Sequence, residues 1–213
     1  MADKHDLEGH YHDHGHHGGA GDRHGARQGN RFDPRRAALL DDPQRLEYLP
    51  PDRIFELMAA PNGARVIDFG TGTGAFAFEL ARRRPDLEIV ALDEQPEMLD
   101  LLRAKPEAAQ LKNVIATHSA ELPRLRGSAE RVMAINVLHE LGDEATRELA
   151  ALLKPEGMVI VVDWNGAIDR PVGPPRASVY TPAEGRARLE HAGLEVSEVP
   201  AFKYHYVLLG RRA

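Results

Sequence analysis

The chain has 213 residues, enough for one α/β domain with a full core and too few for two comfortable ones. Its net charge of -6, from 27 basic and 33 acidic residues, offers no basic face to a nucleic-acid backbone, so no nucleic-acid partner is expected. With no cysteine, disulfides, thiolate metal sites and cysteine nucleophiles are all excluded.

In chain order, residues 1–31 come first. Seven of the 11 histidines (His5, His10, His12, His14, His16, His17 and His24) sit there among glycines and charges. Such a stretch buries too little to offset the entropy of ordering, so it reads as a flexible tail. Imidazoles at this density hold divalent transition metals weakly, but the sequence assigns no dedicated metal ligands. No apolar start suggests a signal peptide, and no window approaches the roughly 20 apolar residues of a membrane span. The expectation is a soluble cytoplasmic protein with no membrane partner.

Residues 32–213 read as the folded domain, with helices over 32–62 and a core over 63–213. Asp33-Pro34 and Asp42-Pro43 each place an acidic cap before a proline at a first helical position. Three short helices fit, the last from about Pro51 to Ala60. Asn62-Gly63 turns the chain into the apolar run ARVIDFG, a strand, and a helical segment Ala75–Arg84 stops at Pro85. LEIVALD then reads as strand, PEMLDLLRA as helix, NVIATHS and RVMAINV as strands, DEATRELAALL as helix and GMVIVVDW as strand. TPAEGRARLEHAG is a capped helix, and LEVSEVPAF with YHYVLLGRR forms an antiparallel hairpin. This alternation predicts a parallel sheet covered on both faces.

The sharpest constellation is VIDFGTGTGAF. Gly70, Gly72 and Gly74 carry the chain from a buried strand into a helix, where glycine allows positive φ and close approach of a ligand. Asp93 ends the next strand, placed to accept hydrogen bonds from both hydroxyls of a ribose. The same residues satisfy a dinucleotide fingerprint, so the loop alone leaves nicotinamide cofactors open.

VIDFGTGTG nevertheless resembles the first motif of class I S-adenosylmethionine-dependent methyltransferases, in the small-molecule, type 11/25-like group. ALDEQPEML resembles their second motif, INVLHEL the fourth-strand motif, and LLKPEGMVIVVDW their helix, turn and fifth strand. The resemblance spans Ala64 to Arg211. It implies a single Rossmann-like, doubly wound α/β domain, with a seven-stranded, mostly parallel sheet and an antiparallel last strand. It also implies S-adenosylmethionine as cofactor and S-adenosylhomocysteine as product. By position, Asp68 approaches the methionine amino group, and Gly70, Thr71, Gly72 and Gly74 line the methionine and ribose. Asp93 holds the ribose hydroxyls, Glu94 and Met98 flank the adenine, and Asn136 lies beside the methionine end. Relatives often read Gly-Asp-Ala after the third strand; here His118-Ser119-Ala120 stands, and His118 or Ser119 would contact the adenine amine.

Methyl transfer needs alignment and exclusion of water, and a base where the nucleophile arrives protonated. The candidates at the carboxyl ends of the strands are His139, Asp163 and His205, with Glu140 and Trp164 beside them. His139 is the first choice, because imidazole titrates near neutrality. The proline- and glycine-rich loop 165–180 reads as a substrate lid, with Arg176 and Tyr180 reaching inward, and the helices before the first strand form the opposite wall. The Asn/Asp-Pro-Pro-aromatic motif of DNA amino methylation is absent, and arsenite lacks its thiolates. A small organic acceptor is the expected partner. A non-catalytic cofactor- or metal-binding regulator and an NAD-dependent oxidoreductase are the alternative readings, and monomer and homodimer both stay open.

Overall fold

The computed structural model describes residues 31–212, so the histidine-rich segment, Arg31 apart, lies outside the described residues. The chain enters through a 3-10 turn, Pro34–Asp41, whose cap Asp33 accepts the Arg35 N–H at 3.0 Å. Asp42 caps helix α1 (Pro43–Tyr48) in the same way, through the Gln44 N–H at 2.9 Å. Helix α2 (Pro51–Met58) follows. Each of the three begins on proline, whose fixed φ and missing N–H suit a first helical turn.

Seven strands form one sheet: β1 (Arg65–Phe69), β2 (Glu88–Asp93), β3 (Val114–His118), β4 (Ala129–Ile135), β5 (Leu153–Trp164), β6 (Leu194–Glu198) and β7 (His205–Arg212). Their order is β3-β2-β1-β4-β5-β7-β6. β1 to β5 are mutually parallel, and β7 pairs antiparallel with both β5 and β6. The remaining helices are α3 (Ala75–Arg83), α4 (Pro96–Ala104), α5 (Pro106–Gln110), α6 (Leu122–Leu125), α7 (Asp143–Ala151) and α8 (Pro182–His191). This is the Rossmann-like architecture with an antiparallel last strand that the sequence pattern and the resemblance lead one to expect.

Alternation along β5 explains how both faces are covered. Ile160 and Val162 join a core with Ile54, Phe76 and Leu80 of α2 and α3. Val159 and Val161 join the opposite core with Leu149 of α7 and Leu189 of α8. Successive side chains on a strand face opposite ways, so a strand buried on both sides reads as a continuous apolar run. Because α3 and α7 lie on opposite faces, the switch point of the sheet falls between the carboxyl ends of β1 and β4, the place where such sheets bind ligands.

The structure departs from the sequence reading in places. The helix expected through Leu153 stops at Ala151, and Leu153 already pairs with Ala129. β5 then passes Pro155 and Glu156, the latter at φ 63°, before its regular pairing resumes at Met158. The short α5 and α6 carry too few turns to show a helical period.

Candidate functional site

β1 ends at Phe69, and Gly70, Gly72 and Gly74 take φ values of 72°, 55° and 82°. The Gly70 and Thr71 N–H groups both donate to the Leu92 carbonyl, at 2.8 and 2.9 Å, which sews the loop to β2. A Cβ on Gly70 would sit 2.6 Å from Val137 Cγ2, and one on Gly72 2.9 Å from Leu40 Cδ1. Gly70→Ala is expected to cost about 2–4 kcal/mol, from left-handed strain and overpacking together, read as a lower urea midpoint at unchanged slope.

Two carboxylates face this loop. Asp93, 7% exposed, accepts the Gly72 N–H at 2.8 Å on one oxygen and the Gln95 N–H at 2.9 Å on the other. Each oxygen keeps lone pairs for a further donor. Burial raises the Asp93 pKa against the pull of these bonds. Asp68 accepts the Thr71 hydroxyl at 2.7 Å, and burial pushes its pKa up to about 7. Asn136, at φ 57°, donates its N–H to the Val162 carbonyl at 2.7 Å, while its buried Oδ1 has no partner among the described residues. An orphaned buried acceptor costs about 1–3 kcal/mol, so its neighbourhood suits a ligand bearing a donor. The donor set therefore fits a nucleoside with a cationic tail: Asp93 for vicinal hydroxyls, Asp68 and Asn136 for an ammonium.

Beyond β2, the Glu94 side chain is exposed and pairs with Arg31 at 2.7 Å, whereas Met98 is buried in α4. His118 Nδ1 accepts the Ala120 N–H at 3.1 Å, capping the turn Ser119–Glu121. Nε2 then carries the proton and donates to the Glu94 carbonyl, at 3.1 Å. Both imidazole nitrogens are committed, so Ser119 offers the available side-chain group here.

The second cluster lies at the ends of β4 and β5. Asp163 is fully buried and accepts three N–H groups: the His139 backbone at 2.9 Å, His139 Nδ1 at 2.8 Å and the Trp164 backbone at 2.7 Å. With Nδ1 held as donor, Nε2 of neutral His139 is the basic nitrogen. It lies 3.7 Å from Glu140 Oε1. Burial disfavours the imidazolium, but the Asp163 charge, its hydrogen bond and Glu140 outweigh that, and the His139 pKa is raised. Glu140, its own pKa raised by burial, accepts the Phe32 N–H at 2.9 Å.

His205 stands apart from this pair. In the β5–β7 register Asp163 lies opposite Tyr206 and Trp164 opposite His205, so His205 shares the Trp164 face and not the Asp163 face. Its ring lies 4.0 Å from that of Trp164 and 6.0 Å from that of Tyr48, between centroids. Burial lowers its pKa to about 3, and neither ring nitrogen has a partner among the described residues.

The loop 165–180 corrects one expectation. Arg176 does not reach inward: it donates to the Gly166 and Ala167 carbonyls at 3.1 and 3.3 Å and pairs with Asp169 at 2.7 Å. Tyr180 is packed in the core with Leu189 and Tyr206. Arg170 instead organises the loop, donating to the carbonyls of Asn165, Val172 and Pro174 and lying over the Trp164 ring.

The opposite wall is the entering arm. Asp41 accepts the Thr73 hydroxyl at 2.7 Å and pairs with Lys105 at 2.6 Å. Gln95 Nε2 donates to the Phe32 carbonyl at 3.1 Å, and Leu40 lies on Gly72. Sequence reasoning missed Phe32, Asp41 and Arg45. Their Asp-Pro caps locate the helices along the chain but carry no information on where those helices dock.

Residues 66–157 match the family model described as a methyltransferase domain. A demethylmenaquinone methyltransferase of Deinococcus radiodurans is 34% identical over 130 residues, covering 60% of this chain and 50% of that protein. The chain thus spans about half the length of the curated relatives it matches. Among solved structures, a SAM-dependent methyltransferase from Aquifex aeolicus superposes with a TM-score of 0.79 at 29% identity, covering 86% of this chain and all of that one (100%). An O-methyltransferase family protein from Burkholderia thailandensis shares the fold at a TM-score of 0.65 and 22% identity, over 85% of this chain and 61% of that one.

Proposed function

This chain carries a class I S-adenosylmethionine-dependent methyltransferase domain, and on that premise we propose that it transfers a methyl group to a small organic acceptor whose nucleophilic atom arrives protonated. The observation that carries the reading is the His139–Asp163 pair, at 2.8 Å, beside the glycine loop.

Asp93 would hold the ribose hydroxyls, and Asp68 with Asn136 the ammonium of the methionyl tail. Gly70, Thr71, Gly72 and Gly74 would give backbone access. Met98 would back the adenine, Glu94 would lie at its edge, and Ser119, presented by the His118–Ala120 turn, would meet its amine. When bound, the cofactor supplies an electrophilic methyl carbon on a sulfonium, so the protein's task is alignment and proton removal. Asp163 fixes the His139 tautomer and leaves Nε2 to take the acceptor's proton. The Asp163 charge and Glu140 then favour the resulting imidazolium. The arm over the loop and the Arg170-pinned segment exclude water from the two sides. His205, its pKa near 3, is a poor proton acceptor at neutral pH and serves as a wall of the acceptor region.

The test is calorimetry with S-adenosylmethionine, S-adenosylhomocysteine and NADH, followed by transfer of labelled methyl to a panel of phenols, hydroxy acids and amines. Micromolar binding of both sulfur ligands without NADH, and label in a protonated acceptor, is the expected outcome. Binding with no transfer across the panel would favour a non-catalytic regulator. Failure of both sulfur ligands to bind would remove the cofactor reading.

A further inference from the structure

Arginines in this protein generally find a carboxylate: Arg65 pairs with Glu88 at 2.8 Å, Arg84 with Asp86 at 2.8 Å and Arg188 with Asp143 at 3.0 Å. Arg45 of α1 has none, a condition it shares with Arg131 and Arg170, but of these three it alone packs on the first turn of α3. It is partly buried, its guanidinium carbon lies 5.0 Å from the centre of the Phe76 ring, and one N–H donates to the Leu40 carbonyl at 3.0 Å. Among the described residues no carboxylate approaches it within 4.0 Å. Burial lowers its pKa, opposed in part by Tyr48, Asp68 and Asp41, yet a guanidinium stays charged at neutral pH.

A partly buried cation without a counter-ion is less favourable than a paired one, so its position suits an anion. That position is informative. Phe76 belongs to the first turn of α3 and Asp68 lies near the end of β1, so Arg45 stands beside the loop joining them. The methionyl tail of the proposed cofactor is a zwitterion, and the protein presents a partner for each end: the Asp68 carboxyl, an acceptor for the ammonium, and the cationic Arg45. A planar guanidinium with free N–H groups also matches a carboxylate in two-pronged geometry.

We propose that Arg45 binds the α-carboxylate of the methionyl tail, a role that rests on the cofactor reading above. Because Arg45 also holds the Leu40 carbonyl, and Leu40 lies on Gly72, the same contact ties the arm to the bound ligand.

The test is calorimetry on the full chain with S-adenosylhomocysteine and with 5′-(3-aminopropylthio)-5′-deoxyadenosine, which lacks only the carboxylate. The wild type is expected to bind S-adenosylhomocysteine at least about tenfold more tightly than the analogue. Arg45→Met is expected to bring the two affinities within about threefold, by weakening the homocysteine ligand and leaving the analogue nearly unchanged. Arg45→Lys, keeping charge but not the fork, should give an intermediate ratio, and it decides the matter should the methionine variant fail to fold. An undiminished preference in a folded Arg45 variant overturns the assignment, as does a wild type that binds both ligands equally. A wild type that binds neither overturns the cofactor reading itself, a result distinguishable from the other two.

Discussion

Replacing Asp163 with asparagine is expected to lower kcat by about 10²–10⁴-fold on the acceptor that the labelled panel identifies. The carboxylate accepts three N–H groups on two oxygens. Asparagine keeps one acceptor oxygen and turns an NH₂ toward the remaining donors, so His139 loses either its orientation or its Nδ1–H tautomer. The pH profile should move as well. The His139 pKa is raised by Asp163 and Glu140 against the effect of burial, and the reaction needs neutral imidazole, so the wild-type rate falls as pH drops through that raised value. Removing the Asp163 charge lowers the His139 pKa, so the acid limb shifts to lower pH while the plateau falls. Asp163 does not touch the glycine loop, and S-adenosylhomocysteine affinity should stay within about twofold by calorimetry, since uniform binding is untouched. An unchanged kcat in the folded variant would remove the proposed orienting role.

Asp93→Ala is expected to weaken S-adenosylhomocysteine binding at least tenfold, about 1.4 kcal/mol. Two losses combine. The ribose hydroxyls would lose their acceptor, and the Gly72 and Gln95 N–H groups, now bonded at 2.8 and 2.9 Å, would lose theirs. Removing the second interaction loosens the loop before any ligand arrives, so the variant should also unfold at a lower temperature. Asp93→Asn, which retains one acceptor, should fall between the two in both measurements. Wild-type affinity in Asp93→Ala would place the nucleoside elsewhere.

Local chemistry made much of this protein legible in its sequence. The helix Pro96–Ala104 has its expected limits because a proline starts it. The glycines of the loop adopt the positive φ that their spacing suggests, since glycine, lacking a Cβ, takes that conformation most readily. The cap of Thr181 on α8 is a reciprocal capping box readable from Thr181 and Glu184. Contacts between distant segments were not legible. The Phe32–Glu140 and Thr73–Asp41 bonds join residues with no shared periodicity, and the solvent-side pairing of Arg176 depends on how its loop folds back. The His139–Asp163 contact was within reach as two candidates at adjacent strand ends, though not as a bonded pair. His205 was misleading for a different reason. Proximity in sequence to Tyr206 says nothing of which face of the sheet it takes, and the antiparallel register decides that.

The placement of β7 sets an order on assembly. This strand is the last of the seven along the chain, yet it lies inside the sheet, between β5 and β6. Until His205–Arg212 arrive, Met158–Trp164 has an unpaired edge on one side of a strand that is apolar on both faces. Such an edge is a template for aggregation, and closing it requires a non-local pairing. Asp163 and Trp164 sit on that late edge, whereas the loop and Asp93 belong to β1 and β2, which pair with each other without it. The pairing of β1, β2, β4 and β5, and with it the His139–Asp163 contact, needs no part of β7, whereas the Trp164–His205 wall of the proposed acceptor region exists only once that last strand has inserted.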